Sequence, residues 1–136
     1  MIFAGFEAIV EAGDAGRTGY IDGYVLPVPA ANKEAYREMA QKMTDLFEEF
    51  GALRVVEAWG EDTPDGKVTD YNRATLKKDD ECVVYSWIEW PDKATRDAGW
   101  AKMMEDERMK PPSEPPFDGK RMMWGGFQPI LDTAQG

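Results

Sequence analysis

The clearest periodic pattern in the chain lies in residues 32–50. Apolar side chains recur there at three- and four-residue spacing, which predicts an amphipathic helix with its charged side chains in water. Asn32 is a suitable N-cap, and Gly51 stands where a left-handed residue commonly ends a helix. The side chains predicted to face the core are Tyr36, Met39, Ala40, Met43, Leu46, Phe47 and Phe50.

A second helix is predicted over residues 92–107, because Asp92 follows Pro91 and can cap the first turn. One side of this helix is expected to face the core through four small or apolar residues, and Trp100 and Met103 widen the apolar stripe. The four residues are Ala94, Ala98, Ala101 and Met104.

Runs of β-branched and aromatic residues bounded by proline and glycine predict four strands. The polar segment 60–81 contains an Asp65-Gly66 turn, and the proline-rich segment 110–116 predicts an extended connector. The order of elements is strand, helix, strand, strand, helix, strand. This is the split βαβ pattern, so we predict an α+β fold, ferredoxin-like βαββαβ with an antiparallel sheet. The predicted strands cover residues 20–28, 53–59, 82–90 and 121–127.

Both faces of the predicted strand 82–90 are mainly apolar. Val84 and Ile88 fall on one face, and Tyr85 and Trp87 fall on the other. Two helices can cover only one face of such a sheet, and an uncovered aromatic face would be a large exposed apolar patch. We therefore expect a homodimer in which two sheets pack face to face as a barrel-like sandwich.

The two ends of the chain resemble each other. Residues 1–10 align with residues 122–131 without a gap, and Met, Gly, Phe and Ile coincide. Chance similarity of short apolar segments is one interpretation. The other is an extra N-terminal strand, joined by a glycine-rich hinge, that pairs at a strand edge of its own chain or of a partner. We thus expect an N-terminal extension over 1–18, a single domain over 19–132 and a tail over 133–136.

Composition limits the available chemistry. The 136 residues include no histidine and one cysteine, and the formal net charge is −10. Histidine-based triads, haem ligation and histidine-containing zinc sites are excluded, as are an internal disulfide and a cysteine cluster, so we expect no metal and no cofactor. The acidic balance disfavours nucleic acid, and the apolar runs are too short for a bilayer. We expect neither partner, and we expect a cytoplasmic location because the acidic start lacks the charge of a secretory signal.

Carboxylates within apolar strands are candidates for catalysis, because burial raises the pKa of a carboxyl toward that of a usable base. Asp22 is the first candidate for a catalytic base, and Glu57 is the second. The alternative is a buried structural ion pair, or a position at a sheet edge in water. The arginines available for such a pair are Arg54, Arg96, Arg108 and Arg121.

Aromatic and methionine side chains are abundant, with five Trp, five Tyr, six Phe and eight Met. Flat aromatic walls and flexible methionines suit a planar or irregular apolar ligand bound between sheet and helices. The alternative is that these residues only fill the core. The side chains predicted to line the ligand pocket are Trp59, Tyr85, Trp87, Trp124 and Arg96.

Several motifs along the chain together carry a resemblance to a known family. The motifs are Tyr20-Ile21-Asp22-Gly23-Tyr24-Val25-Leu26-Pro27-Val28-Pro29, Gly51-Ala52-Leu53-Arg54-Val55-Val56-Glu57, Ser86-Trp87-Ile88-Glu89-Trp90-Pro91, Arg96-Asp97-Ala98 and Pro116-Phe117-Asp118-Gly119-Lys120-Arg121-Met122 followed by Gly125-Gly126-Phe127. Together they resemble the bacterial YbaA-like family, a domain of unknown function. The resemblance covers about residues 19–132 and implies a ferredoxin-like fold of the dimeric α/β-barrel group. It supplies no activity and no catalytic residues.

The function expected from these observations is binding of a small apolar or aromatic molecule by a cytoplasmic homodimer. One alternative is a cofactor-free enzyme, monooxygenase-like or isomerase-like, with Asp22 or Glu57 as its base. Another is a protein-interaction module without a ligand, which would use the acidic loop and the proline-rich segment to contact a partner.

Overall fold

A computed structural model describes residues 1–14, 16–110 and 113–133 of the chain. Within these residues the chain forms five strands and three α-helices, with single 3₁₀ turns between some of them. The elements are β1 (Gly5–Gly13), β2 (Tyr20–Pro29), α1 (Lys33–Glu49), β3 (Arg54–Asp62), α2 (Tyr71–Ala74), β4 (Glu81–Trp90), α3 (Lys93–Glu105) and β5 (Met123–Phe127).

The strands form one sheet in the order β1-β3-β4-β2-β5, and every neighbouring pair is antiparallel. From β2 to β5 the two long helices alternate with the strands as strand, helix, strand, strand, helix, strand. The predicted α+β, ferredoxin-like βαββαβ fold is therefore confirmed. The additional strand, β1, lies outside β3 at one edge of the sheet.

The core lies between one face of the sheet and the helices α1 and α3. One cluster of buried apolar side chains joins the first half of α1 to β2, β3 and β4 around Tyr36, Trp59 and Val84. A second cluster joins the end of α1 to α3 around Phe47 and Met103. Burial of these side chains is the main stabilising contribution to the fold.

Helix α1 agrees with the sequence pattern in its extent and its end. Gly51 adopts a φ of +112°, the conformation expected of a residue that terminates a helix. The prediction that the Asn32 side chain caps this helix is wrong. The Asn32 side chain makes no capping hydrogen bond, and its Nδ2 instead donates to the Pro116 carbonyl oxygen at 3.0 Å. Asn32 therefore ties the connector before β5 to the start of α1.

The predicted core face of α3 is wrong. Ala94, Ala98, Ala101 and Met104 are all exposed, and the residues that α3 buries are Gly99 and Met103. The helix approaches the sheet so closely at Gly99 that a Cβ there would lie 2.8 Å from the Phe50 carbonyl oxygen and 3.0 Å from the Trp90 ring. The pattern of hydrophobic residues does not predict this contact, because the contact depends on the absence of a side chain at Gly99.

Strand β2 is longer than expected and runs through Pro27 to Pro29. Its pairing with β5 extends only from Ile21 to Val25, whereas its pairing with β4 continues to Pro29. The prolines thus lie where β2 has one neighbour, and a missing N–H group is tolerated there. Strand β5 begins at Met123 instead of residue 121, because a 3₁₀ turn occupies Gly119–Arg121. Helix α2 was not predicted.

Strand β1 pairs with β3 of its own chain from Gly5 to Gly13. Val10 is buried in the first core cluster, and Gly13 adopts a φ of +83°. The division of the chain at residues 18 and 132 stays a prediction. Residue 15 of the proposed hinge, residues 111–112 of the connector and residues 134–136 of the tail lie outside the described residues.

The sheet face turned away from α1 and α3 is only partly covered by this chain. Near β1, the rings of Phe6, Tyr71 and Tyr85 pack edge-on or tilted, with centroids 5.4–6.3 Å apart. Towards β5 the face carries apolar side chains that are half-buried or exposed. We call this part of the sheet the open face, and it comprises Ile21, Val25, Trp87, Met123 and Phe127.

Candidate functional site

Asp22 lies on the helix-facing side of β2, with only 1% of its surface exposed. The indole Nε1 atoms of Trp90 and Trp100 both donate to its Oδ2 at 3.0 Å. Arg96 donates to its Oδ1 from Nε at 3.0 Å and from Nη2 at 2.9 Å. Every donor is a fixed ring or guanidinium group, so the carboxylate is fully paired and structurally constrained.

Arg96 is held by several partners at once. Besides Asp22, its Nη1 donates to Asp97 at 2.7 Å, and its guanidinium carbon lies 5.0 Å from the ring centroid of Tyr20. These hydrogen bonds, to Asp22 first, raise the pKa of Arg96 above its ordinary value. One cation therefore faces two carboxylates, and little uncompensated positive charge remains at this position.

A cavity of about 460 Å³ lies beside this cluster, between α3 and the edge of the sheet formed by β2 and β5. Its volume falls within the range of small-molecule sites. Trp124 and Met104 are both exposed, so the cavity opens to solvent between β5 and α3. The lining residues are Tyr24, Arg96, Asp97, Trp100, Met104, Met122 and Trp124.

Tyr24 provides a hydroxyl group in this largely aromatic wall. Its side chain is half-buried and makes no hydrogen bond within the described part of the chain. Burial, followed by the negative charge of Asp22, raises the pKa of Tyr24 above its ordinary value. The hydroxyl therefore stays protonated at neutral pH and can donate one hydrogen bond to a molecule in the cavity.

A row of polar side chains crosses the sheet next to the cavity. The register pairs Trp124 with Tyr24, Tyr24 with Ser86, and Ser86 with Glu57 on adjacent strands. The Tyr36 hydroxyl of α1 donates to Glu57 Oε2 at 2.6 Å, and Ser86 also donates to this carboxylate. Burial outweighs these hydrogen bonds and raises the pKa of Glu57 to about 7. Glu57 can thus change its protonation state near neutral pH.

The cavity contains only part of the predicted pocket. Arg96 and Trp124 line it, and Asp22 lies directly behind Arg96. Trp59 lies in the first core cluster instead, where Lys33 Nζ stands 5.4 Å from its ring centroid. Tyr85 and Trp87 share the sheet face turned away from α1 and α3, where their ring centroids are 5.9 Å apart. Successive side chains of a strand point to opposite faces, so these two residues lie on the other face from Val84, Ser86 and Ile88 of β4.

Sequence reasoning did not assign several lining residues to the pocket. Tyr24 follows Asp22 by two residues on the same strand, so it falls on the same face, and this signal was available. Trp100 belongs to the apolar stripe predicted for the second helix. Nothing in local spacing indicates that its indole reaches a carboxylate on β2.

Two properties of the described residues bear on other kinds of site. No group of three or more aspartate, glutamate or cysteine side chains within residues 1–14, 16–110 and 113–133 is placed to hold a metal ion. No helix in the same ranges combines the length and apolar character that a membrane span requires.

Comparison with known proteins identifies close relatives. The Escherichia coli K12 protein printed as "Uncharacterized protein YbaA" is 59% identical over 114 residues, which cover 83% of this chain and 97% of that protein. The Shigella flexneri protein of the same name has the same identity and coverage. A solved structure described as a major regulator of staphylococcal pathogenesis covers 93% of this chain and 68% of its own, at 12% identity and a TM-score of 0.49. That likeness is too low to inform function.

A family model described as "Protein of unknown function (DUF1428)" matches residues 19–119, which include α1, α3 and the three central strands. The match and the 59% identity to the Escherichia coli protein agree with the resemblance noted in the sequence motifs. The chain therefore belongs to the DUF1428 family.

Proposed function

We propose that this protein binds a small, planar and largely apolar molecule in the cavity between α3 and the β2–β5 edge. The observation that supports this proposal is the cavity of about 460 Å³ with aromatic and methionine walls and one available phenolic donor. Trp100 and Trp124 provide flat surfaces for a ring, and Met104 and Met122 can adapt to its outline.

The charges at the cavity favour a neutral ligand. Asp22 and Asp97 already engage all three nitrogens of Arg96, so an anionic ligand would find no free cation there. It would also approach two carboxylates. A neutral aromatic molecule with one hydrogen-bond acceptor, placed to receive the Tyr24 hydroxyl, fits these constraints.

The proposal is tested by titrating the chain with 1-naphthol and with 2-naphthoate and following binding by isothermal calorimetry. We expect 1-naphthol to bind with saturable, one-to-one stoichiometry and 2-naphthoate to bind at least tenfold more weakly. Trp124→Ala removes one wall and Tyr24→Phe removes the donor, so each is expected to weaken naphthol binding several-fold.

Phe127→Ala is the matched control for Trp124→Ala. Phe127 lies on the same strand with 61% exposure, close to the 66% of Trp124, but it belongs to the open face. Binding that Phe127→Ala weakens as much as Trp124→Ala does would contradict the cavity as the site. Absence of binding by both probes would favour an interaction module without a ligand.

The open face supports the proposal that this chain forms a homodimer. Met123 and Phe127 are exposed there, and Ile21, Val25 and Trp87 are half-buried in the isolated chain. Packing two open faces against each other would remove these apolar side chains from water. A two-fold arrangement satisfies this requirement because each chain presents the same surface to the other.

A cofactor-free enzyme is the second candidate, and the surroundings of Glu57 favour it over Asp22 as the base. Glu57 has a pKa of about 7 and accepts from Ser86, and Ser86 is paired in strand register with Tyr24 of the cavity wall. A base with a pKa near the working pH is effective in proton transfer. Asp22, in contrast, already accepts from the Trp90 and Trp100 indoles and the Arg96 guanidinium, and it is not among the residues that line the cavity.

This candidate predicts that ligand binding and Glu57 protonation are coupled. The enthalpy of 1-naphthol binding at pH 7 would then depend on the ionisation enthalpy of the buffer, since binding would change the proton occupancy of Glu57. Glu57→Gln is expected to abolish that dependence while leaving most of the affinity. A buffer-independent enthalpy in the unmodified chain would count against Glu57 as a base for a molecule in this cavity.

A further inference from the structure

The outer side of β3 is a strand edge that β1 occupies. Phe6 packs over Gly60 and lies 5.7 Å, between ring centroids, from Tyr85. Val10 is buried against the first core cluster, and Glu11 forms an ion pair with Arg54. These contacts give the β3 edge an apolar position for Val10 and a basic position for Glu11.

The C-terminal segment 128–132 has the residue types that this edge accommodates. In the gapless alignment of the two chain ends, Ile130 and Leu131 correspond to residues 9 and 10, and one residue beyond the aligned range Asp132 would correspond to Glu11. Ile130 and Leu131 are fully or largely exposed in their own chain, although their counterparts in β1 are half-buried and buried. Two large aliphatic side chains in water are unfavourable unless another surface covers them.

The segment cannot reach the β3 edge of its own chain. Strand β5 and the position of β1 lie at opposite edges of the sheet, four strand spacings apart, or about 19 Å. The four residues from Phe127 to Leu131 span at most about 14 Å when fully extended. Any contact between residue 131 and the β3 edge is therefore made with another chain.

The family match, residues 19–119, does not include β1. Without β1 the order of the sheet is β3-β4-β2-β5, and β3 is then an edge strand. An uncovered edge offers unpaired backbone groups to an incoming strand. Strand β1 thus fills a position that the rest of the domain leaves open.

We propose that the β3 edge is a docking site for residues 128–132 of a second copy of this chain, and that β1 occupies the site within its own chain. The docked segment would add to the sheet as an edge strand, with Leu131 in the place of Val10 and Asp132 beside Arg54. Pro129 would stand in the place of Ala8, next to the irregularity between Ala8 and Val10, and proline is tolerated at such an edge.

The test uses a fluorescein-labelled peptide of residues 126–133 and measures its fluorescence anisotropy with the full chain. Because β1 is tethered beside its site at an effective concentration of the order of millimolar, the unmodified chain is expected to bind the peptide weakly. Val10→Asp weakens the hold of β1 and is expected to tighten peptide binding at least tenfold. Val68→Asp, which adds the same charge at an exposed apolar residue, is the matched control and is expected to leave binding unchanged.

A peptide carrying Leu131→Asp is expected to bind the Val10→Asp chain at least tenfold more weakly than the natural peptide. Equal affinity of both peptides, or equal affinity of the unmodified and Val10→Asp chains, would overturn the proposal. If Val10→Asp does not fold, the proposal is tested on the unmodified chain by hydrogen exchange. Millimolar peptide is expected to accelerate hydrogen exchange at the amides of residues 7–12, and unchanged exchange there would overturn the proposal. These outcomes are independent of whether 1-naphthol binds.

Discussion

Asp22 and Glu57 are carboxylates on the same face of one sheet, but their surroundings give them opposite properties. Asp22 accepts hydrogen bonds from Trp90, Trp100 and Arg96, which hold the carboxylate in one position. Glu57 receives hydroxyl donors only, and burial keeps its pKa at about 7. Asp22 therefore organises the wall behind the cavity, whereas Glu57 is the group whose charge changes near neutral pH.

Asp22→Asn is expected to lower the free energy of unfolding by about 3 kcal/mol or more, because it leaves the half-buried Arg96 without its carboxylate and places an amide NH₂ among donors at a buried position. Urea denaturation followed by tryptophan fluorescence measures the loss. Asp97→Asn, which removes the exposed partner of Arg96, is the control and is expected to cost at most about 1 kcal/mol. Similar losses of unfolding free energy in the two variants would show that the Arg96–Asp22 pair contributes no more to stability than the exposed Arg96–Asp97 pair.

Glu57 makes stability depend on pH in a direction opposite to that of an ordinary ion-paired acid. Its pKa rises from 4.5 to about 7 on folding, so its stabilising contribution is complete below about pH 4.5 and is lost as pH rises to 7. Glutamine cannot ionise. The free energy of unfolding of Glu57→Gln, relative to the unmodified chain, is therefore expected to rise by up to about 3 kcal/mol between these pH values.

Urea denaturation at several pH values between 4.5 and 7.5 measures this difference. Glu48→Gln, at an exposed position of α1, is the control and is expected to show a constant difference across the range. A constant difference for Glu57→Gln as well would mean that the carboxyl titrates at its ordinary pKa.

At the scale of elements, the agreement between pattern and structure depends on what each element packs against. Helix α1 lies on the sheet through a broad stripe that includes Tyr36, Ala40 and Phe47, so its 3.6-residue period is visible in the sequence. Helix α3 lies on the sheet through Gly99 and Met103, and its alanines face water. The spacing of hydrophobic residues predicts which side chains are buried, but it does not predict where a helix backbone comes close to the sheet, as α3 does at Gly99.

Gly99→Ala tests whether that close approach holds α3 in place. Alanine favours a helix by about 1 kcal/mol over glycine, but its Cβ would lie 2.8 Å from the Phe50 carbonyl oxygen. We expect the steric cost to prevail and the free energy of unfolding to fall by about 1–3 kcal/mol. Lys102→Ala, exposed on the same helix, is the control and is expected to change it by less than about 0.5 kcal/mol. A more stable Gly99→Ala variant would show that α3 can move away from the sheet.

The candidate site shows the same division between local and distant information. Asp22 and Tyr24 are two residues apart on one strand, so the sequence predicts that they lie on the same face of the sheet. The contact between Asp22 and Trp100 depends on how α3 crosses the sheet, and no local spacing encodes that crossing. Likewise, Tyr85 and Trp87 are aromatic strand residues, but their assignment to a pocket required knowledge of which face the helices cover.

At the scale of the whole molecule, the sheet has one face packed by helices and one that this chain covers incompletely. The side chains of the open face form one group of apolar residues that an isolated chain leaves partly in contact with water. The net charge of −10 opposes association in general, so any self-association must rely on local apolar contact. Both considerations make the open face the place to test for a dimer.

Met123→Glu is expected to convert the proposed homodimer to a monomer at micromolar concentration, because it places a charge on the face that a second copy would cover. Light scattering coupled to size-exclusion chromatography measures the mass. Leu76→Glu introduces the same charge at an exposed apolar residue of another region and is expected to leave the mass at that of two chains. An unmodified chain with the mass of one subunit would contradict the dimer.

The two indoles that are hydrogen-bonded to one carboxylate also give the protein an intrinsic fluorescence signal at the cavity. Trp90 and Trp100 share Asp22 Oδ2, and Trp100 and Trp124 both line the cavity. Indole emission is sensitive to hydrogen bonding and to nearby rings, so entry of a molecule would alter the spectrum without any added dye. Compound libraries can therefore be screened against the unlabelled chain, with the chain's own emission as the signal.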